Sequence, residues 1–330
     1  MANLETQQVD EVIVNSRRKM LALGGAALAG IAFAGVKLAE GQSAPAYTDA
    51  DILNFALNLE YLEAQFYSLA TSGTTIDNLG SGIGPGTNKF DGAAVITKPG
   101  GPSACVVPWT LPAIQAYATE TASEERHHVN FLRANLGSAA VAQPTLDLYN
   151  SFNTLAGVAG IASTFDPFAN DLDFLVGAYI FEDVGVTAYS GAAPLITTPA
   201  YLAAAAGILG VEAYHAGLIR TSIFIADPDG KAGLQGYTQQ ISATRMKLDG
   251  SSTVDDIGVG FQTVSVEPAN TTNGAATIVD AQTGSPNYSK TYSRSTTQVL
   301  QIVTGSVNIP AAGAKYMGVF FPNGLNGLFS

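Results

Sequence analysis

The chain has 330 residues, 47% of them hydrophobic, enough to bury a substantial core and to exclude disorder as the main state. Its 27 acidic against 15 basic residues give a formal charge of -12, which argues against a phosphate-binding surface and so against nucleic acid as a partner. Charged residues reach only 13%, and the single cysteine, Cys105, excludes an intrachain disulfide and a thiolate metal cluster.

The N-terminus runs from a polar stretch through Ser16-Arg17-Arg18-Lys19-Met20-Leu21 into a Gly/Ala/Leu run from Leu21 to Val36, with Ala44-Pro45-Ala46 as a small-x-small cleavage site. That order predicts a twin-arginine-type export signal over 1–46 and a periplasmic or extracellular mature protein, membrane-anchored if the leader is not cleaved. No other stretch is expected to be long and apolar enough to cross a membrane.

From Thr48 the pattern turns helical. Thr48 or Asp49 can cap, and Ile52, Phe55, Ala56, Leu59, Leu62, Phe66 and Leu69 recur at three- and four-residue spacing, predicting a helix over 49–71. Between Thr71 and Pro112 glycine and proline replace periodicity, so a long insertion with short strand near 93–97 is expected at one end of the fold. Its spaced glycines, Gly80, Gly82, Gly84 and Gly86, lack the Lys-Ser/Thr of a phosphate loop and read as a flexible loop.

A second helix is predicted over 111–136, with Pro112 in its first turn and Gly137 closing it. A shorter amphipathic piece over 145–157 connects it to long helices over 171–190 and 199–226, the last stopped by Asp227-Pro228-Asp229-Gly230. Four long helices with a long first crossover make an all-α four-helix bundle over 47–230. The remainder, 231–330, is expected to be an irregular C-terminal extension packed on the bundle, with helices over 238–248 and 295–303.

The strongest chemical signal is an internal duplication. Glu60 in the first helix is followed seven residues later by Tyr67-Ser68, and Glu182 in the third by Tyr189-Ser190. Glu125-x-x-His128 in the second helix is matched by Glu212-x-x-His215 in the fourth, and each His is followed five residues later by an arginine, Arg133 or Arg220. A spacing of three puts Glu and His on one helix face. One Glu from each of two helices and one Glu-x-x-His from each of the other two are the ligand pattern of dinuclear carboxylate proteins.

A single Glu on a helix is usually solvated, and a lone His on an apolar face is usually a core histidine. Here two of only three histidines fall in the repeated motif, and Glu182 is set, with Asp183 beside it, in the otherwise apolar run from Phe174 to Val186, where an unpaired carboxylate is costly. Glu124-x-x-His127 has the same spacing as Glu125-x-x-His128, but the match to Glu212, His215 and Arg220 selects the latter. Glu60 is preferred over Glu63 because only Glu60 has the Tyr-Ser partner. Arg133 and Arg220 read either as groups that orient a ligand or as surface ion pairs. Tyr67 and Tyr189 read as core residues with a hydroxyl toward the polar site, or as electron relays.

Leu57-Asn58-Leu59-Glu60-Tyr61-Leu62-Glu63-Ala64, Phe181-Glu182-Asp183-Val184-Gly185 and Val211-Glu212-Ala213-Tyr214-His215 resemble the helix signatures of the ferritin-like domain family that includes bacterial exported members and plant desiccation-related proteins. Gln298 to Val303 and the ending Phe320-Phe321-Pro322-Asn323-Gly324 resemble its C-terminal part, so the resemblance runs from about Tyr47 through nearly all the mature chain. It implies a ferritin-like four-helix bundle. The fold hosts ferroxidases, oxygenases, manganese catalases and metal-free stress proteins, so it does not choose a reaction.

The expected function is a carboxylate-bridged dinuclear site of two iron or manganese ions acting on oxygen or peroxide. Glu125 and Glu212 would bridge, Glu60 and His128 complete one site, and Glu182 and His215 the other. The alternative is a non-enzymatic stress, desiccation-related or envelope protein whose site is empty or structural. Expected partners are metal ions and oxygen or peroxide, with self-association as a further option.

Overall fold

The computed structural model describes residues 47–251, 255–264, 272–275, 291–308 and 315–328. The export signal expected over 1–46 and parts of the extended stretch and tail after 251 lie outside the described residues. Those described contain seven α-helices and two small two-stranded sheets. The long helices are α1 (Asp49–Ser72), α2 (Pro112–Leu136), α4 (Asp171–Ala192) and α5 (Pro199–Ala226).

Each begins where the chemistry of its first turn allows. Thr48 and Asp51 close a capping box on α1, and the Asn170 side chain accepts from the Leu172 and Asp173 amides of α4. Prolines open α2 and α5, where their missing N–H costs no helix bond.

In the bundle α1 packs chiefly on α2, and α4 on α5; contacts of α1 with α4 and of α2 with α5 join the two pairs. The helix starts are tied across the pairs in matching fashion. Asp171 at the head of α4 accepts from the Thr110 and Leu111 amides before α2, at 2.9 and 3.1 Å. Asp49 at the head of α1 accepts from the Thr197 and Thr198 amides before α5, at 2.9 and 2.8 Å. The duplication in sequence is thus a duplication in space.

The expected absence of a second apolar span needs correction. Helix α5 is long enough and apolar enough to cross a membrane, with a mean hydropathy of 1.5 over its best window. Its apolar character comes from Ala, Ile and Leu around Glu212, His215 and Arg220, all buried in the bundle.

The glycine-rich insertion is pinned. The Arg133 guanidinium donates to the carbonyls of Gly84, Gly86 and Asn88 at 2.7–2.8 Å and to the Tyr61 hydroxyl at 2.5 Å. A side chain on Gly84 would run into the Phe90 carbonyl, which is why that position is glycine. The flexible-loop reading of this segment therefore gives way to a loop fixed by an arginine from α2. Strand β1 (Val95–Ile96) pairs in parallel with β2 (Leu146–Asp147), just before the connecting helix α3 (Asn150–Ala159).

Beyond the bundle, α6 (Leu234–Asp249) and α7 (Thr296–Thr304) pack on each other and on α4. A β3 (Phe261–Val264) and β4 (Thr272–Ala275) antiparallel pair lies between them in sequence. The link to α4 is a chain of buried charges. Asp183 accepts from Arg220 at 2.7 Å and from Arg245 at 2.9 Å; Arg245 reaches Asp256 at 2.7 Å; Arg294 bridges Asp256 at 2.6 Å and Asp249 at 2.9 Å.

Candidate metal centre

All six residues selected from the duplication meet in the middle of the bundle, and all are buried. Helix α1 brings Glu60, α2 brings Glu125 and His128, α4 brings Glu182, and α5 brings Glu212 and His215. Their ligand atoms form two groups, each with its atoms within 4.8 Å of one another. One is Glu60, Glu125, His128 and Glu212; the other is Glu125, Glu182 and His215. Glu125 belongs to both and so joins them, while Glu212 falls with the first group.

Both imidazoles turn Nδ1 inward. His128 Nδ1 lies 3.2 Å from Glu60 Oε2, 3.4 Å from Glu125 Oε2 and 3.6 Å from Glu212 Oε1. His215 Nδ1 lies 2.9 Å from Glu125 Oε1 and 3.4 Å from Glu182 Oε2. The two ring centroids are 6.3 Å apart.

Several of these atoms have no hydrogen-bond partner: both oxygens of Glu125 and of Glu212, Glu182 Oε2 and His215 Nδ1. His215 Nδ1 is near Glu125 Oε1 but makes no hydrogen bond to it, so the two atoms converge on shared space. Buried carboxylate oxygens without donors cost several kcal/mol each unless a cation takes them, about 1–3 by mutational measure and more for charged groups. The donor set, hard oxygens with two borderline nitrogens, suits iron or manganese and also zinc. The residues therefore fit a metal.

The electrostatics say the same. Burial pushes the Glu60 carboxyl up to about 7 against the pull of His128. Burial, then the neighbouring carboxylates, push Glu63 and Glu212 well above the usual range, and burial also raises Glu182 against His215. Glu125 goes the other way: burial opposes its ionisation, but His128 and His215 outweigh it. Burial would lower the imidazoles, yet Glu60 and Glu125 carry His128 up to about 12, and Glu182 and Glu125 raise His215 similarly. Protons and a cation thus compete for the same lone pairs.

Groups around the six hold them in place. The Tyr67 hydroxyl donates to Glu182 Oε1, and the Tyr189 hydroxyl to Glu60 Oε1. The sequence pairs each tyrosine with the Glu of its own helix; the structure swaps them, so each phenol reaches across between α1 and α4. His215 Nε2 lies 2.7 Å from Glu124 Oε2, a carboxylate that orients the ring. Sequence reasoning passed over Glu124 as the unselected twin of Glu125, although the pair of adjacent acids was the available signal.

Arg220 is neither a surface pair nor a partner of a ligand: it is buried and serves Asp183. Arg133 serves the insertion loop. His127 is exposed on α2. Glu63 is buried beside the cluster.

A helical bundle with a central carboxylate and imidazole cage compatible with metal defines a ferritin-like protein. The chain belongs to the ferritin-like domain family, whose model matches residues 48–224. It is 32% identical over 223 residues to the desiccation-related protein PCC13-62 of Craterostigma plantagineum, covering 64% of this chain and 66% of that protein. It is 26% identical over 290 residues to the ferritin-like catalase Nec2 of Nesocodon mauritianus, covering 84% of each. No solved structure matches the chain significantly.

Proposed function

We propose that Glu60, Glu125, His128, Glu182, Glu212 and His215 hold two iron or manganese ions, with Glu125 and Glu212 bridging, and that the loaded protein acts on peroxide or oxygen. The observation that carries this reading is the set of buried carboxylate oxygens without donors, distributed over two groups that share Glu125. The ions would supply one-electron cycling between divalent and trivalent states.

The chain's own residues do the rest. Tyr67 and Tyr189 fix the terminal carboxylates by donating to one oxygen of each, which leaves Glu182 Oε2 without a partner and Glu60 Oε2 facing His128 Nδ1. Glu124 fixes the tautomer and plane of His215. The apolar lining of the bundle keeps bulk water away and strengthens every interaction inside.

Similarity to a protein called a catalase makes hydrogen peroxide the first substrate to test. The chain loaded with manganese or iron should release oxygen from peroxide at a rate proportional to its metal content, and the Glu212→Ala chain should not. Loaded protein that leaves peroxide intact would reject the peroxide half of the reading.

Similarity to a desiccation-related protein favours a second reading, a protective protein in which the cage is structural. Protection of a dried marker enzyme by Glu212→Ala equal to that by the parent would support it. We also propose that 1–46 direct export of the folded chain; Lys at Arg17 and Arg18 should retain the protein in the cytoplasm, and normal export of that variant would refute it.

A further inference from the structure

Two apolar cavities of about 40 Å³ lie in the fold, and they differ at one end. The second, between α3, α4 and α6, is lined by Phe152, Leu155, Ala159 and Phe165 and touches none of the six cage residues. The first, between α1, α4 and the start of α7, ends inward on Glu60, Glu63 and Tyr189. Outward it reaches Leu195, 44% exposed, and the half-buried Ala192 and Thr296. It therefore runs from surface to cage.

We propose that this cavity is the route by which a small uncharged molecule of the dioxygen or peroxide class reaches the cage, with Glu63 as the residue that positions it at the inner end. The proposal rests on the dinuclear reading above. Ala56, Leu59, Ala188 and Val299 line the passage, so an ion would shed its hydration without compensation. Among the described residues the one cation on the wall, Arg294, is already held by Asp249 and Asp256. A volume of about 40 Å³ takes about three waters, which admits a peroxide molecule and refuses an organic substrate.

Glu63 breaks the pseudo-twofold symmetry. Its counterpart, three residues after Glu182, is Gly185, where any Cβ would run into Glu212 Oε2. Glu63 Oε1 lies 3.7 Å from that same Cβ position. One half of the duplication thus gives its side-chain space to Glu212, and the other places a carboxyl beside it. Among the described residues Glu63 makes no hydrogen bond or ion pair, which leaves it available to a molecule arriving along the cavity. Thr296 and Val299 supply one wall, so the C-terminal extension completes the route.

Ala188→Leu and Ala56→Leu narrow the passage without touching the cage, and Ala159→Leu does the same to the second cavity. With the full chain loaded anaerobically with ferrous iron, stopped-flow nitric oxide binding should slow by about tenfold in either of the first two at unchanged metal content, and not in the third. Parent-like rates in both would overturn the route. Glu63→Leu should raise KM for peroxide at unchanged kcat, and Glu63→Gln should restore it; an unchanged KM in Glu63→Leu overturns its positioning role. Xenon soaked into metal-free crystals separates this proposal from the dinuclear reading: it should occupy the first cavity whether or not the chain binds metal and be expelled by Ala188→Leu, and xenon absent from that cavity would refute the route alone.

Discussion

Two buried charge clusters meet α4 at adjacent residues, Glu182 and Asp183. Glu182 belongs to a cage of four carboxylates and two imidazoles with orphaned oxygens; Asp183 belongs to a chain of three arginines and three aspartates. In the second cluster charges balance, and only Asp183 Oδ1 and Arg220 Nε lack partners. The same helix turn therefore carries a finished structural lock on one side and an unneutralised site on the other. Burial alone does not mark function; the electrostatic deficit does.

The largest expected effect is on the deficit side. On the proposed reading, in which Glu212 bridges beside Glu125, Glu212→Ala should lose both metals and not one, and elemental analysis reads this directly. The same change should raise the thermal stability of chelated protein, since it relieves repulsion in a buried site. On the balanced side, Arg245→Ala should destabilise by about 3–5 kcal/mol in urea unfolding, because it leaves three buried aspartates to two arginines, with Asp183 held by Arg220 alone and Asp256 by Arg294 alone.

The two clusters should also respond oppositely to pH. Burial opposes ionisation of Asp256, but Arg245 and Arg294 hold its carboxyl down at about 2. A depressed pKa contributes stability that is present above the unfolded value of 3.8 and lost as pH falls through about 2. Glu60, pushed up to about 7, does the reverse: its contribution is whole below 4.5 and is lost as pH rises through 7. Chelated protein should therefore weaken between pH 4.5 and 7 in thermal melts, and metal should cancel that loss.

Smaller effects sharpen the boundary of the site. Glu124→Ala should weaken metal affinity by about 10–100-fold, as for other carboxylates that orient a ligating imidazole. His127→Ala and Glu63→Ala should leave metal content unchanged, His127 because it is exposed and Glu63 because it belongs to neither ligand group.

The bundle and the six cage residues were legible because helical periodicity is local and the duplication repeats it. The predicted spans 49–71, 171–190 and 199–226 end within two residues of α1, α4 and α5. What was not legible depends on distant partners. Nothing in the spacing of Asp183, Asp249, Asp256, Arg245 and Arg294 announces a network that joins positions up to 111 residues apart (Asp183 to Arg294). The exchange of Tyr67 and Tyr189 between helices is invisible for the same reason, because a same-helix spacing of seven cannot report a contact across the bundle. Gly185 looked unremarkable as a sequence position; its meaning comes from the Glu212 oxygen that fills its side-chain space.

The central claim is that the cage is a dinuclear metal centre, and metal stoichiometry tests it most directly. The full chain folded in the presence of iron or manganese and freed of loose ions should carry about two ions per chain by elemental analysis, displaced together by acid or chelator as the cage takes up protons. A chain that folds fully and retains no metal under those conditions would contradict the account.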